Sequence, residues 1–112
     1  MNNLTYNPVQ KITITASQDL PEFRFVGANG SLCGVNQNAI GAVDTNFENG
    51  DSASVVSLGT AIVETAGAVA VGDNITCDAD GKATPVVFDE AVNARALTAT
   101  SGAGFIRVLL VP

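Results

Sequence analysis

A chain of 112 residues with 5 Lys and Arg against 11 Asp and Glu, a formal net charge of −6 and no histidine reads as one small acidic domain. Phosphate binding needs clustered cations, so this balance argues against nucleic acid as a partner, although a fold could still gather a few of the scattered Lys11, Arg24, Lys82, Arg95 and Arg107 into a patch. Without histidine the commonest general base and the commonest metal ligand are missing, so no enzyme, metal or cofactor is expected.

No apolar run is long enough to span a bilayer, so no membrane partner is expected. The start, MNNLTYNPVQK, lacks the basic and apolar regions of a signal peptide, and synthesis and use in a cytoplasm, or release by lysis, are expected. In that compartment Cys33 and Cys77 are expected as free, buried thiols. Val, Ile and Thr recur in short runs punctuated by 11 glycines, and apolar residues never hold a helical spacing for a dozen residues without a glycine. The expected class is all-β: a single small β-barrel or β-sandwich with short hairpins and an N-terminal arm.

Residues 1–22 read as that arm and the first strand, and residues 23–112 as the barrel or sandwich. Within the arm, residues 1–10 are polar, with Leu4, Tyr6 and Val9 isolated and Pro8 as a breaker. Such a segment is either a loosely ordered terminus or an arm that orders against a partner, with Leu4 and Tyr6 as its anchors. Lys11 to Ala16 alternates, with Ile12, Ile14 and Ala16 on one face, and predicts a half-buried strand. Phe23 to Val26 is a second short strand, Gly27 to Gly30 a turn, and Ser31 to Val35 a short return strand. Gly27-x-x-Gly30 is no phosphate loop, because neither Gly-Lys-Ser/Thr nor a helix-forming run follows. Ala39 to Val43 is a strand of small residues. The loop Asp44 to Ser52 turns at Asn49-Gly50, and its acids lack calcium-loop spacing, so they read as solvated.

The stretch from Ser54 to Val87 organises the rest. Val55 to Val63 is an apolar strand broken once, at Gly59. A small-residue link closes at Gly72-Asp73, and Asn74 to Asp78 alternates, with Ile75 and Cys77 on one side and Asn74, Thr76 and Asp78 on the other. Asp80-Gly81 then turns the chain into Lys82-Ala83-Thr84, a tight hairpin because the turn needs a positive φ. Asp73, Asp78 and Asp80 would have to face one another in a pocket to act as paired catalytic acids, and turn positions make them wet instead. Pro85 to Val92 is a linker. Ala94 to Thr100, a glycine loop and Phe105 to Val111 form a last hairpin. Its final strand is nearly all apolar, with Arg107 its one charge, so it is either buried on both faces or pressed against another subunit. The order of Ala39–Val43, loop and Ala53–Leu58 echoes that of Ala96–Thr100, loop and Phe105–Leu110, as two hairpins of one barrel would.

In their order and spacing these segments resemble the tailed-phage head decoration, or capsid cement, proteins, a family formerly catalogued as a domain of unknown function. The resemblance covers residues 31–112. It rests on Gly34-Val35, Ile40-Gly41-Ala42-Val43, Gly50-Asp51-Ser52-Ala53-Ser54-Val55, Gly59-Thr60-Ala61, Val71-Gly72-Asp73-Asn74-Ile75, Asp80-Gly81-Lys82-Ala83-Thr84, Ala96-Leu97-Thr98-Ala99 and Ile106-Arg107-Val108-Leu109-Leu110. Before the last hairpin the family's Ile-Gly-x-Ala-Leu stands here as Asn93-Ala94-Arg95-Ala96-Leu97, with Ala94 in place of the glycine.

The resemblance implies a β module on the exterior of the virion, made in the host cytoplasm, that binds the major capsid protein at capsomer junctions and stabilises the expanded head. It also implies a homo-oligomer, a trimer or dimer, on the capsid. The residues expected at capsid or subunit interfaces are Leu4, Tyr6, Pro8 and Val9 in the arm and Phe105, Arg107 and Leu109 in the last strand. The alternative is another virion β module, a head fibre base or a tail component.

Overall fold

A computed structural model describes residues 7–87 and 90–111. Among them there is no helix, and eight strands follow in order: β1 (Pro8–Thr15), β2 (Arg24–Val26), β3 (Gly41–Val43), β4 (Ser52–Thr65), β5 (Asn74–Cys77), β6 (Ala83–Pro85), β7 (Ala94–Ala96) and β8 (Gly104–Leu110).

β4, 14 residues long, belongs to two sheets. Its first half lies between β1 and β3, both antiparallel to it, and β2 extends this sheet beyond β3. Its second half pairs antiparallel with β8, from Thr60↔Leu109 to Thr65↔Gly104, and parallel with β6 at Thr65↔Ala83. The circuit β4, β6, β5, β7, β8 and back to β4 closes a five-stranded barrel. Closure removes the free sheet edges that an open sheet would leave.

Gly59 is where β4 passes from one sheet to the other. Its φ is +99°, and the β1–β4 register slips on both sides of the Gln10↔Leu58 pair. A strand alternates faces, so an irregularity of one residue exchanges them. Ala53 and Val55 therefore point into a smaller core with Ala16, Leu20, Val26 and Val43, whereas Val56, Ala61 and Val63 all point into the larger, barrel core.

Several predicted elements change in extent. The return strand expected at Ser31 to Val35 is a single bridge, Leu32 to Val26, made by Gly27 N–H to Ser31 C=O and Cys33 N–H to Phe25 C=O; beyond it Phe25 N–H goes to Gly81 C=O and Gly34 N–H to Gln37 Oε1. The strand expected over Ala94 to Thr100 ends at Ala96, and Thr100 bridges instead to Val69 in the small-residue link. Thr76, on the side of β5 opposite Ile75 and Cys77, is also buried, at 3% exposure. The two echoing hairpins are not parts of one barrel, for β3 pairs with the first half of β4 in the flanking sheet. The Asp80-Gly81 hairpin is present, with Gly81 at φ +75° and Cys77 opposite Ala83.

Candidate interaction surface

Several of the acidic residues hold the protein's own backbone or a cation. Asp78 Oδ1 accepts from the N–H groups of Asp80 and Lys82, both at 2.9 Å, so this carboxylate caps the hairpin. Asp73 Oδ2 accepts from Ala70 N–H at 2.9 Å, and Asp51 Oδ2 from Glu48 N–H at 2.8 Å. Asp44, expected as a solvated loop acid, has a side chain only 16% exposed and accepts from Lys11 Nζ at 3.0 Å, which ties its loop to β1. Among the described residues no group of three or more Cys, Asp or Glu is placed to hold a metal ion.

Asn93 is a polar residue inside the core, 4% exposed. Its Oδ1 accepts from Ala39 N–H at 2.9 Å, and its Nδ2 donates to Gln37 C=O at 3.0 Å and to Cys77 Sγ at 3.5 Å. Its main chain continues the pattern, donating to Ile75 C=O and accepting from Val111 N–H. Asn93 thus pins the loop after Cys33 to the end of the barrel. A buried amide is tolerated only when its bonds are made, and here they are. Beside it an open cleft of about 260 Å³ runs between Ala39, Ile40, Gly41, Ser57 and Leu110.

The outer face of β8 has a different character. Ile106, Val108 and Leu110 point into the barrel, while Phe105 and Leu109 are 39% and 45% exposed on its outside. The strand is therefore buried on one face and half open on the other. Phe105 is held by Phe23, whose ring meets it edge-on with centroids 5.5 Å apart. Arg107 lies between Phe105 and Leu109 on the half-buried side of the strand, and its buried Nε has no hydrogen-bond partner among the described residues. Across the register, Leu109 stands opposite Thr60 on β4 and Arg95 on β7. Arg95 and Arg107 thus share one barrel face in an otherwise acidic protein.

Two sets of expected interface residues approach each other at Thr60. Thr60 N–H donates to Asn7 C=O at 3.1 Å, and Asn7 N–H donates to Thr60 Oγ1 at 2.6 Å. The start of β1, with Pro8 exposed and Val9 71% exposed, therefore adjoins the β8 face through the residue that pairs with Leu109. Leu4 and Tyr6 lie outside the described residues. Sequence reasoning missed Val35, Leu58, Val71 and Val87, each exposed and apolar; lying in loops or next to a bulge, they belong to no periodic face that would mark them.

Comparison with known proteins gives two findings. A family model described as phage cement protein matches residues 5–110, extending the resemblance from residue 31 to nearly the whole chain. The fold is similar to the crystal structure of the head fiber gp8.5 N base in bacteriophage phi29, with a TM-score of 0.73 and 18% identity over 91% of this chain and 93% of that one. No curated protein matches the chain.

Proposed function

The chain belongs to the phage cement protein family, and from that premise we propose that this virion structural protein binds the outer surface of the head at capsomer junctions and stabilises the expanded shell. The observation that carries the reading is the outer face of β8, where Phe105 and Leu109 flank Arg107 beside the start of β1. The apolar pair gains free energy when covered, at about 25 cal/mol per Å². Arg107, half-buried between them, adds a guanidinium charge to the same face that a partner's oxygen can pair. A major capsid protein presenting an apolar shelf with carbonyl or carboxylate oxygens satisfies both requirements.

Cementing also explains why a modest patch suffices. Copies bound as a trimer or dimer on a lattice engage several sites at once, and the second contact is made at high effective concentration. Stiffening then follows from linking neighbouring capsomers rather than from any one strong contact. Leu4, Tyr6, Pro8 and Val9 would extend the same interface from the arm.

Cosedimentation with expanded heads that lack the protein tests this. Saturation at a fixed ratio to the major capsid protein is expected, and protein that stays in the supernatant at all concentrations overturns it. A second reading, the base of a head fibre, is favoured by the fold similarity to the head fiber gp8.5 N base. Electron microscopy of virions carrying labelled protein separates the two by whether label decorates the shell at every equivalent junction or marks fibre attachment points.

A further inference from the structure

Cys33 and Cys77 come from distant parts of the sequence and meet in the barrel core. Cys33 follows β2, and its N–H is fixed to Phe25 C=O at 3.0 Å. Cys77 ends β5, opposite Ala83. Both residues are buried in one cluster, at 0% and 1% exposure. Their sulfurs share neighbours: Asn93 Nδ2 lies 3.5 Å from Cys77 Sγ and 4.0 Å from Cys33 Sγ, and Gly34 C=O lies 3.2 Å and 3.8 Å from the same two atoms.

We propose that Cys33 and Cys77 are a redox pair, which a low-molecular-weight disulfide such as oxidised glutathione converts into an internal cross-link between the loop after β2 and the barrel. The order of events follows from the surroundings. The neighbouring Cys77 thiol lowers the Cys33 thiol from its ordinary value, although burial opposes this. The neighbouring Cys33, burial and the charge of Asp78 push Cys77 up. Cys33 is therefore the thiol that ionises and attacks.

Its thiolate displaces one glutathione thiolate from the reagent, giving a mixed disulfide. Cys77 then attacks the Cys33 sulfur, a second glutathione thiolate leaves, and that thiolate takes up the Cys77 proton. The protein loses two protons and two electrons, and one glutathione disulfide becomes two thiols.

Access is local. The loop from Gly34 to Asn38 lies against the sulfurs through the Gly34 and Gln37 carbonyls, and most of it is exposed, with Val35 at 65%. Cys33 Sγ donates to Gln37 C=O at 3.4 Å, so lifting this loop uncovers the attacking atom while the barrel ladder stays paired. The product closes a long loop of chain, which restricts the unfolded ensemble.

The test uses the full chain, fully reduced, then incubated folded with oxidised glutathione. Both thiols should disappear, the intact mass should fall by two hydrogen atoms with no retained glutathione, and the Tm should rise by about 10 °C until dithiothreitol reverses it. Cys33→Ser and Cys77→Ser proteins should show no such rise. Two thiols that persist in the folded protein, a stable glutathione adduct, cross-linked dimers, or an unchanged Tm after oxidation would each overturn the proposal.

Discussion

Asn7 and Thr60 clasp each other, with Thr60 N–H donating to the Asn7 carbonyl at 3.1 Å and Asn7 N–H to the Thr60 hydroxyl at 2.6 Å. The clasp forms next to Gly59, where β4 changes sheets, and one residue from the start of β1. It fixes the beginning of β1 beside the outer face of β8.

That crossing depends on glycine. A β-carbon at Gly59 would stand 2.5 Å from Asn7 O and 2.7 Å from Val9 N, at a φ of +99°. Gly59→Ala should cost about 2–3 kcal/mol in urea unfolding and speed amide exchange at residues 9–11. Gly67→Ala, where a β-carbon meets nothing within 4 Å, should leave stability nearly unchanged. Equal effects at the two positions would contradict the role given to Gly59.

Asn93→Ala should be among the most destabilising polar substitutions. It leaves Ala39 N–H and Gln37 C=O without their partners at 2.9 and 3.0 Å. The expected loss is about 2–3 kcal/mol by chemical unfolding, with faster exchange at Ala39. A loss below about 0.5 kcal/mol would mean the loop is held by something else.

Arg24 links three elements. Its Nε and Nη2 donate to Glu64 Oε1 at 3.3 and 3.2 Å, and its Nη1 to Asp80 C=O at 3.1 Å. Lys82 reaches the same carboxylate only at 3.7 Å. Arg24→Ala should cost about 1–2 kcal/mol, and Lys82→Ala less than about 0.5 kcal/mol. Reversal of that ranking in 0.15 M salt would contradict the geometry.

Phe105 and Leu109 separate stability from binding. Phe105→Ala removes the edge contact with Phe23 and should cost about 1–2 kcal/mol of stability. Leu109→Asp, at a position 45% exposed, should change stability by less than about 0.5 kcal/mol. Both should weaken head binding, with about tenfold lost for each 1.4 kcal/mol of contact removed, measured by cosedimentation. Undiminished binding by Leu109→Asp would move the interface elsewhere.

Local chemistry was the part legible in the sequence. The Asp80-Gly81 hairpin carries its own instructions, a capping carboxylate and a residue that tolerates positive φ. The alternation in β1 declared its half-buried face. Nonlocal pairing was not legible: nothing in the order of residues says that Thr65 pairs in parallel with Ala83 and so closes the barrel. Gly59 was visible as an interruption, but its effect, sending Val56 and Ala61 into the same core, exists only once two sheets share the strand. Ala94 stood out as a departure from a family pattern, whereas its neighbour Asn93 gave no signal, since its partners Gln37 and Ala39 lie far away in sequence. The candidate surface was legible as apolar residues in the last strand, but which of them face out depends on the barrel's closure.

The central claim is that the module sits on the outside of the head with the β8 face against the shell. Electron cryomicroscopy of expanded heads saturated with the protein tests it most directly. The account predicts a compact β density at capsomer junctions, with Phe105, Arg107 and Leu109 turned toward the capsid surface. Density confined to the tail or to fibre attachment points, or a bound module whose β8 face looks into solvent, would contradict it.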